Sequence, residues 1–467
     1  MTTSEYQPLE YDPGLELVPQ QDRQPLLQDS VSSTSPFVQP TTIYVQDYEQ
    51  HATATPISCI INLANTILGT GMLAMPSAMA SVGILPGIFL IGFSALMSGT
   101  GLYFLSRCAA RTEGRNASFF AISKLTWPKI AVFFDLAIAI KCFGVAVSYL
   151  IIIGDLMPQV IDSLSNHAHT AYFLTDRRFW ITLFVLVLIL PLSFLKKLDS
   201  LKYTSLVALV AVIYLCVIVL YHYVSPNYPL PQKEDVELVS FSASILGHLP
   251  VFVFAFTCHQ NIFSVYNELK DNSKQAINKV IATSIGGSAF VYEAIAILGY
   301  LSFGKQVRGN IIMEYPPSYF VAGGRLAMVI SCIFSYPLQA HPCRASLDKV
   351  LTLLSPSKGL KASPLSSPPP PSAFKYFAMT TTILIASYLV AITITELDLV
   401  LSFVGSTGST TISFVLPGLF YYKIHENDQW NSAKISSVLL ALYGMFIMTV
   451  CLTYNIMRLT SNVSSTA

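Results

Sequence analysis

Between residues 56 and 458 the chain alternates long apolar runs with short polar connections. Each run is about 20 residues, the length a helix needs to cross the hydrocarbon layer of a bilayer. Eleven spans are predicted, at 56–82, 84–106, 130–156, 179–195, 203–224, 241–266, 277–302, 324–347, 374–394, 398–422 and 435–458. Two of them carry polar residues in mid-span. The first holds Asn62, Asn65, Thr66 and a Gly69-Thr70-Gly71 step before Pro76. A helix in hydrocarbon must satisfy its own N–H and C=O groups, and glycine weakens that ladder. Unwound backbone at that depth is tolerated only where protein or a wet cavity surrounds it. Span one is therefore expected to break at 68–71, with free amides and carbonyls facing a small polar ligand. A glycine-lined packing seam is the alternative reading.

Span six holds the second irregularity, Phe256-Thr257-Cys258-His259-Gln260-Asn261. These residues cannot all hide on one helical face. The irregularity lies five spans after the first, so spans 1–5 (56–224) and 6–10 (241–422) read as two repeats, with span 11 (435–458) appended. A repeat of odd length turns the second copy upside down. Interrupted helices at matching positions of inverted halves point to the midplane site of a secondary transporter. Half-helix N-termini offer positive dipole ends to a carboxylate, and unwound carbonyls can take an ammonium or a coupling cation. A zwitterionic amino acid meets both requirements.

Composition agrees with a polytopic, all-α membrane protein. Hydrophobic residues make up 53% of the chain, charged residues only 11%, and mean hydropathy is +0.56; a soluble domain carries about 25% charged residues. The net charge of +1, with no basic block, gives no sign of a nucleic-acid partner. The eight cysteines form no CxxC pair, so neither a disulfide frame nor a metal cluster is signalled. No HExxH pattern and no Ser/His/Asp set stands out, so no catalytic or metal-binding residues are assigned.

Lysines and arginines set the orientation. Counting each connection with its flanking span ends, the side that follows the even-numbered spans holds 18 and the other side 7. The N-terminal tail (1–55) shares the basic side and is assigned to the cytosol, and the C-terminal tail (459–467) to the lumen. The N-terminal tail is polar, with eight acidic residues against Arg23, and reads as disordered. It contains Tyr6-Gln7-Pro8-Leu9 and Asp22-Arg23-Gln24-Pro25-Leu26-Leu27. These resemble tyrosine-based and acidic dileucine sorting signals, and they make clathrin adaptors candidate partners through Tyr6, Leu9, Asp22, Leu26 and Leu27. The cytosolic loop 355–372 contains Pro368-Pro369-Pro370-Pro371 and reads as a flexible linker.

The run from Asn62 to Leu73 resembles the first helix of the amino acid/auxin permease family. Residues 254–270, with Cys258-His259 and Tyr266-Asn267-Glu268-Leu269-Lys270, are similar to its sixth helix. Phe403-Val404-Gly405-Ser406-Thr407-Gly408-Ser409 through Pro417-Gly418 resembles its tenth. Span three, with Cys142-Phe143-Gly144-Val145 and Ser148-Tyr149-Leu150, is similar to helix three of the fungal vacuolar branch, a branch related to sodium-coupled neutral amino acid transporters. The resemblance implies eleven helices in the inverted-repeat fold, discontinuous helices 1 and 6, and transport of amino acids coupled to protons or sodium, with no other cofactor. It implies that Thr66, Gly69, Thr70 and Gly71 hold the substrate, opposite Phe256, Thr257, Cys258 and His259. Asn65 matches a cation-coupling position, to be completed from span eight by Ser331 and Ser335. Tyr336 and Pro337 beside Ser335 favour protons over sodium.

Two ionisable residues lie deep in the membrane. Lys141 is about 16–18 Å along the helix from Lys129, and Glu293 is deep in span seven. As a pair or singly they are candidates for ion coupling, and a structural ion pair is the alternative. The leading expectation is a proton-coupled amino-acid transporter of the vacuolar or lysosomal membrane. A sodium-coupled symporter at the plasma membrane and an amino-acid sensor signalling through the tail are the alternatives.

Overall fold

The computed structural model describes residues 52–112, 114–128, 131–165, 172–195, 204–225, 235–240, 244–354 and 372–466. The sorting-signal residues Tyr6, Leu9, Asp22, Leu26 and Leu27 and the proline run lie outside the described residues. Among the described residues sixteen α-helices follow one another: α1 (Pro56–Ile67), α2 (Gly71–Ala80), α3 (Ile84–Ala109), α4 (Phe119–Leu125), α5 (Ala131–Leu164), α6 (Arg177–Phe184), α7 (Leu190–Ser193), α8 (Thr204–Val224), α9 (Ile245–Ala255), α10 (Ile262–Glu268), α11 (Lys274–Phe303), α12 (Tyr319–Leu354), α13 (Ala373–Thr393), α14 (Leu397–Val404), α15 (Leu416–Ile424) and α16 (Ser432–Thr466). No strand occurs among the described residues beyond an isolated bridge between Ala54 and Leu269.

Among the described residues nine helices are long and apolar enough to cross a membrane, or ten when the bent pair α1–α2 counts as one. The expected span at 179–195 is built from α6, a π turn at Val185–Ile189 and α7, which together are too short to stand among them. The wide turn sits just ahead of Pro191, which cannot donate to the ladder. At 324–347 α12 runs on as one helix with Pro337 and Pro342 inside it. The last helix does not end at 458. It continues to Thr466, with no proline or glycine after Arg458 to stop it.

The first span is broken, and the cause is local. Leu68 has φ −72° and ψ 68°, the conformation of an inverse γ-turn, and the Gly69 amide donates to Ile67 O at 2.7 Å. The chain then restarts as α2, bent by 55° from α1. The second break follows α9. Phe256, Thr257 and Cys258 are not helical, and a 3₁₀ turn over His259–Asn261 leads into α10. A third irregularity was not foreseen. Between α14 and α15 the expected tenth span widens into two π turns, Gly405–Ser409 and Thr411–Val415. There glycine permits close backbone approach: a Cβ on Gly408 would lie 2.7 Å from both Ala137 O and Lys141 N.

Candidate substrate site

The two breaks touch. A Cβ placed on Gly71 would lie 3.0 Å from Ala255 Cα and 3.1 Å from its Cβ, so any larger residue at 71 would press on the end of α9. Around the contact, neighbouring helices satisfy the backbone that the breaks set free. Tyr292 of α11 lies between the two ends. Its hydroxyl reaches Ile67 O at the end of α1 and Ala255 O, 3.1 Å away, at the end of α9. Ser98 of α3 donates from Oγ to Phe256 O at 2.8 Å, and its own carbonyl accepts from His259 Nε2 at 3.1 Å. Ser413 donates to Thr257 Oγ1 at 3.3 Å, and Thr257 donates to Val253 O at 3.0 Å. Asn261 Nδ2 donates to Thr66 Oγ1 at 2.7 Å, tying the first break to the second.

The amides of Thr70 and Gly71, at the start of α2, are left over. Neither has a hydrogen-bond partner among the described residues. They sit at the positive end of a half-helix, where a carboxylate is favoured.

Thr70 lines a cavity of ≈ 400 Å³, and Gly71 lines a narrower hollow beside it. The cavity walls carry Asn62, Asn65, Thr66, Gly69 and Thr70 from the first break, and Gln260 and Asn261 from the second. Tyr149 of α5, Ser205 of α8, and Ser331, Ser335 and Gln339 of α12 complete it. Asn62 is exposed, Asn65 and Thr66 are half-buried and Thr70 is buried, so the cavity deepens from the α1 N-terminus toward the break. The narrower hollow, of ≈ 30 Å³, adjoins it, sharing Thr66, Gly69 and Thr70 and lined also by Gly71, Thr257 and Lys141. On the far side a separate cavity of ≈ 380 Å³ is lined by Ser77, Ser81, Ser244 and His248, with Glu237 and Lys305 paired at its edge. Met72, Leu73, Met75, Phe252 and Val253 are buried around the breaks.

Thus Thr66, Gly69, Thr70, Gly71, Thr257, Asn65, Ser331, Ser335 and Lys141 come together around these two adjoining hollows. The other expected residues do not. Phe256 is fully buried and packs edge-on against the Tyr292 ring at 5.2 Å. Cys258 and His259 are fully buried and line neither hollow. His259 is a packing residue that holds the break to α3, and a Cβ on Gly101 would meet its Nε2 at 2.8 Å. Glu293 lines neither hollow and forms no ion pair with Lys141; α11 packs on α1, α2 and α3 instead. The expected Lys141–Glu293 pair is therefore corrected to a lysine alone. Tyr149, Ser205 and Gln339 had not been singled out as site residues; only their meeting in space reveals them. Asp135 and Asp155, toward the ends of α5, pair with Lys349 at 3.4 Å and Arg177 at 3.2 Å.

A polar cavity at two helix breaks, with two unpartnered amides beside it, suits a small zwitterion. The family model described as "Transmembrane amino acid transporter protein" matches residues 52–459. The chain belongs to this family. It is 45% identical over 415 residues to vacuolar amino acid transporter 5 of Schizosaccharomyces pombe, covering 86% of this chain and 94% of that one. Vacuolar amino acid transporter 6 of Saccharomyces cerevisiae is 38% identical, with 85% and 97% covered. Among solved structures, MhsT in complex with L-phenylalanine matches with a TM-score of 0.57 at 10% identity, over 86% of this transporter and 99% of that chain. That likeness is one of fold.

Proposed function

We propose that the protein carries amino acids across the vacuolar membrane by alternating access, coupled to protons. Its eleven crossings form two inverted repeats of five and one further helix, with the N-terminus in the cytosol. The observation that carries the reading is the pair of unpartnered amides at Thr70 and Gly71, two residues that line the narrow hollow where the two broken helices meet. The substrate carboxylate takes these amides, and its ammonium turns to the oxygen-rich wall of Asn65, Thr66 and Ser331. Separate cavities lie at the two ends of α2, one at Thr70 and one at Ser77 and Ser81, which supports access to the site from either side in turn. The vacuolar relatives support the address and the substrate class.

Coupling to sodium has one observation in its favour: Asn65 Oδ1 is buried without a partner and could face a cation. Counterflow in proteoliposomes decides both questions. Vesicles preloaded with each of the twenty common amino acids in turn should accumulate the labelled form of at least one, equally well in sodium-free buffer. No counterflow with any of the twenty removes the amino-acid reading. Loss of counterflow without sodium replaces the proton with sodium.

A further inference from the structure

Lys141 is a deeply buried lysine, 3% exposed, in the first third of α5. With Val145 and Tyr149, each four residues on, it lies on the helix face that lines the narrow hollow behind Gly69, Thr70 and Gly71. Among the described residues no hydrogen bond and no ion pair reaches its side chain; the carboxylates nearest in sequence, Asp135 and Asp155, are already paired with Lys349 and Arg177. The titratable groups around it are Cys142 and Tyr149 on its own helix, Cys258 and His259 from the second break, and Tyr292 between the breaks. None of these is a carboxylate. Gln339 of α12 and the close-packed Gly408 turn add no charge.

An ammonium this deep in a membrane is strongly disfavoured unless an anion accompanies it. The free amides of Thr70 and Gly71 border the same hollow, so a carboxylate bound there would lie beside the lysine.

We propose that Lys141 carries the coupling proton. It is an ammonium while a substrate carboxylate lies beside it, and a neutral amine when the site is empty. The proposal rests on the reading of an amino acid at the helix breaks and supplies its coupling device. On the loading side the amine takes one proton from water and pairs with the incoming carboxylate. After the carrier turns over, the carboxylate leaves, and the ammonium returns its proton to water on the far side. The neutral amine then crosses back without a buried charge. One proton moves with each amino acid, in the same direction.

Proteoliposomes holding the full chain test this with Lys141→Gln, which cannot take the proton, and Lys141→Arg, which cannot release it. The probe is the amino acid with the strongest wild-type counterflow among the twenty. Absence of any wild-type counterflow would defeat the underlying reading and not this step alone. With the membrane potential clamped, a gradient of one pH unit should drive up to about tenfold accumulation in the wild type, tenfold being about 1.4 kcal/mol. Both variants should exchange more weakly, Lys141→Gln the more so, and neither should accumulate substrate above onefold. A variant that exchanges and still accumulates substrate overturns the proposal, as does a wild type indifferent to the pH gradient. Loss of all exchange in both variants, with each folded and inserted, makes Lys141 a packing residue and overturns it too.

Discussion

Gly71→Val should reduce transport about a hundredfold or more while leaving the protein inserted and folded. A Cβ at this position already meets the α9 backbone at 3.0 Å, and the two further carbons of valine have no free volume on that side. The neighbour is the helix end at Ala255, not the tip of a flexible side chain, so the two breaks must move apart. Overpacking of this kind costs about 1–3 kcal/mol, which an interior of this size absorbs. The geometry at the site is less tolerant, because displacing a binding group by about 1 Å can cost a hundredfold in turnover. Counterflow measured alongside membrane delivery separates the effects. Gly71→Ala, with a single methyl at the same contact, should lose only a few-fold. Normal transport by Gly71→Val in correctly delivered protein would mean that the contact between breaks is not part of the site.

Tyr292→Phe should have the second largest effect, although Tyr292 lines neither hollow. The phenylalanine keeps the edge-on contact with Phe256 and loses only the hydroxyl. That hydroxyl serves two carbonyls, Ile67 O and Ala255 O, at the ends of the two half-helices. Ile67 O keeps the Gly69 amide as a donor, so the loss falls on Ala255 O, and a buried carbonyl left without its donor costs about 1–3 kcal/mol. Part of it should appear as a lowered melting temperature in detergent. The rest should appear as a transport defect of about ten- to a hundredfold, because α1 and α9 lose the hydroxyl that bridges their ends. A variant with wild-type melting and wild-type transport would show that water replaces the hydroxyl without consequence.

How much of this could be read from the residues alone follows the physics of each element. The break in the first span was legible because glycine, asparagine and threonine in mid-membrane have no structural excuse other than a packing seam, and the second break gave the choice its weight. Lys141 was legible from depth alone. The facing of residues at the second break was not. Helical periodicity ends at Ala255, so nothing in the order of Phe256, Thr257, Cys258 and His259 told which turn inward. Thr257 meets the hollow, and the other three pack behind it. Tyr292 gave no signal, being one more aromatic residue in an apolar helix. Tyr149, Ser205 and Gln339 become a site only through the packing of α5, α8 and α12, which no local pattern encodes. The Lys141–Glu293 pairing failed for the same reason: depth can be counted along a helix, but partners cannot.

The most direct test is an experimental structure of the full chain with its transported amino acid bound. The carboxylate oxygens should lie within hydrogen-bond distance of the Thr70 and Gly71 amides, with spans one and six both interrupted around the ligand. An amino acid lodged elsewhere, or two unbroken helices with no ligand between them, would contradict the account.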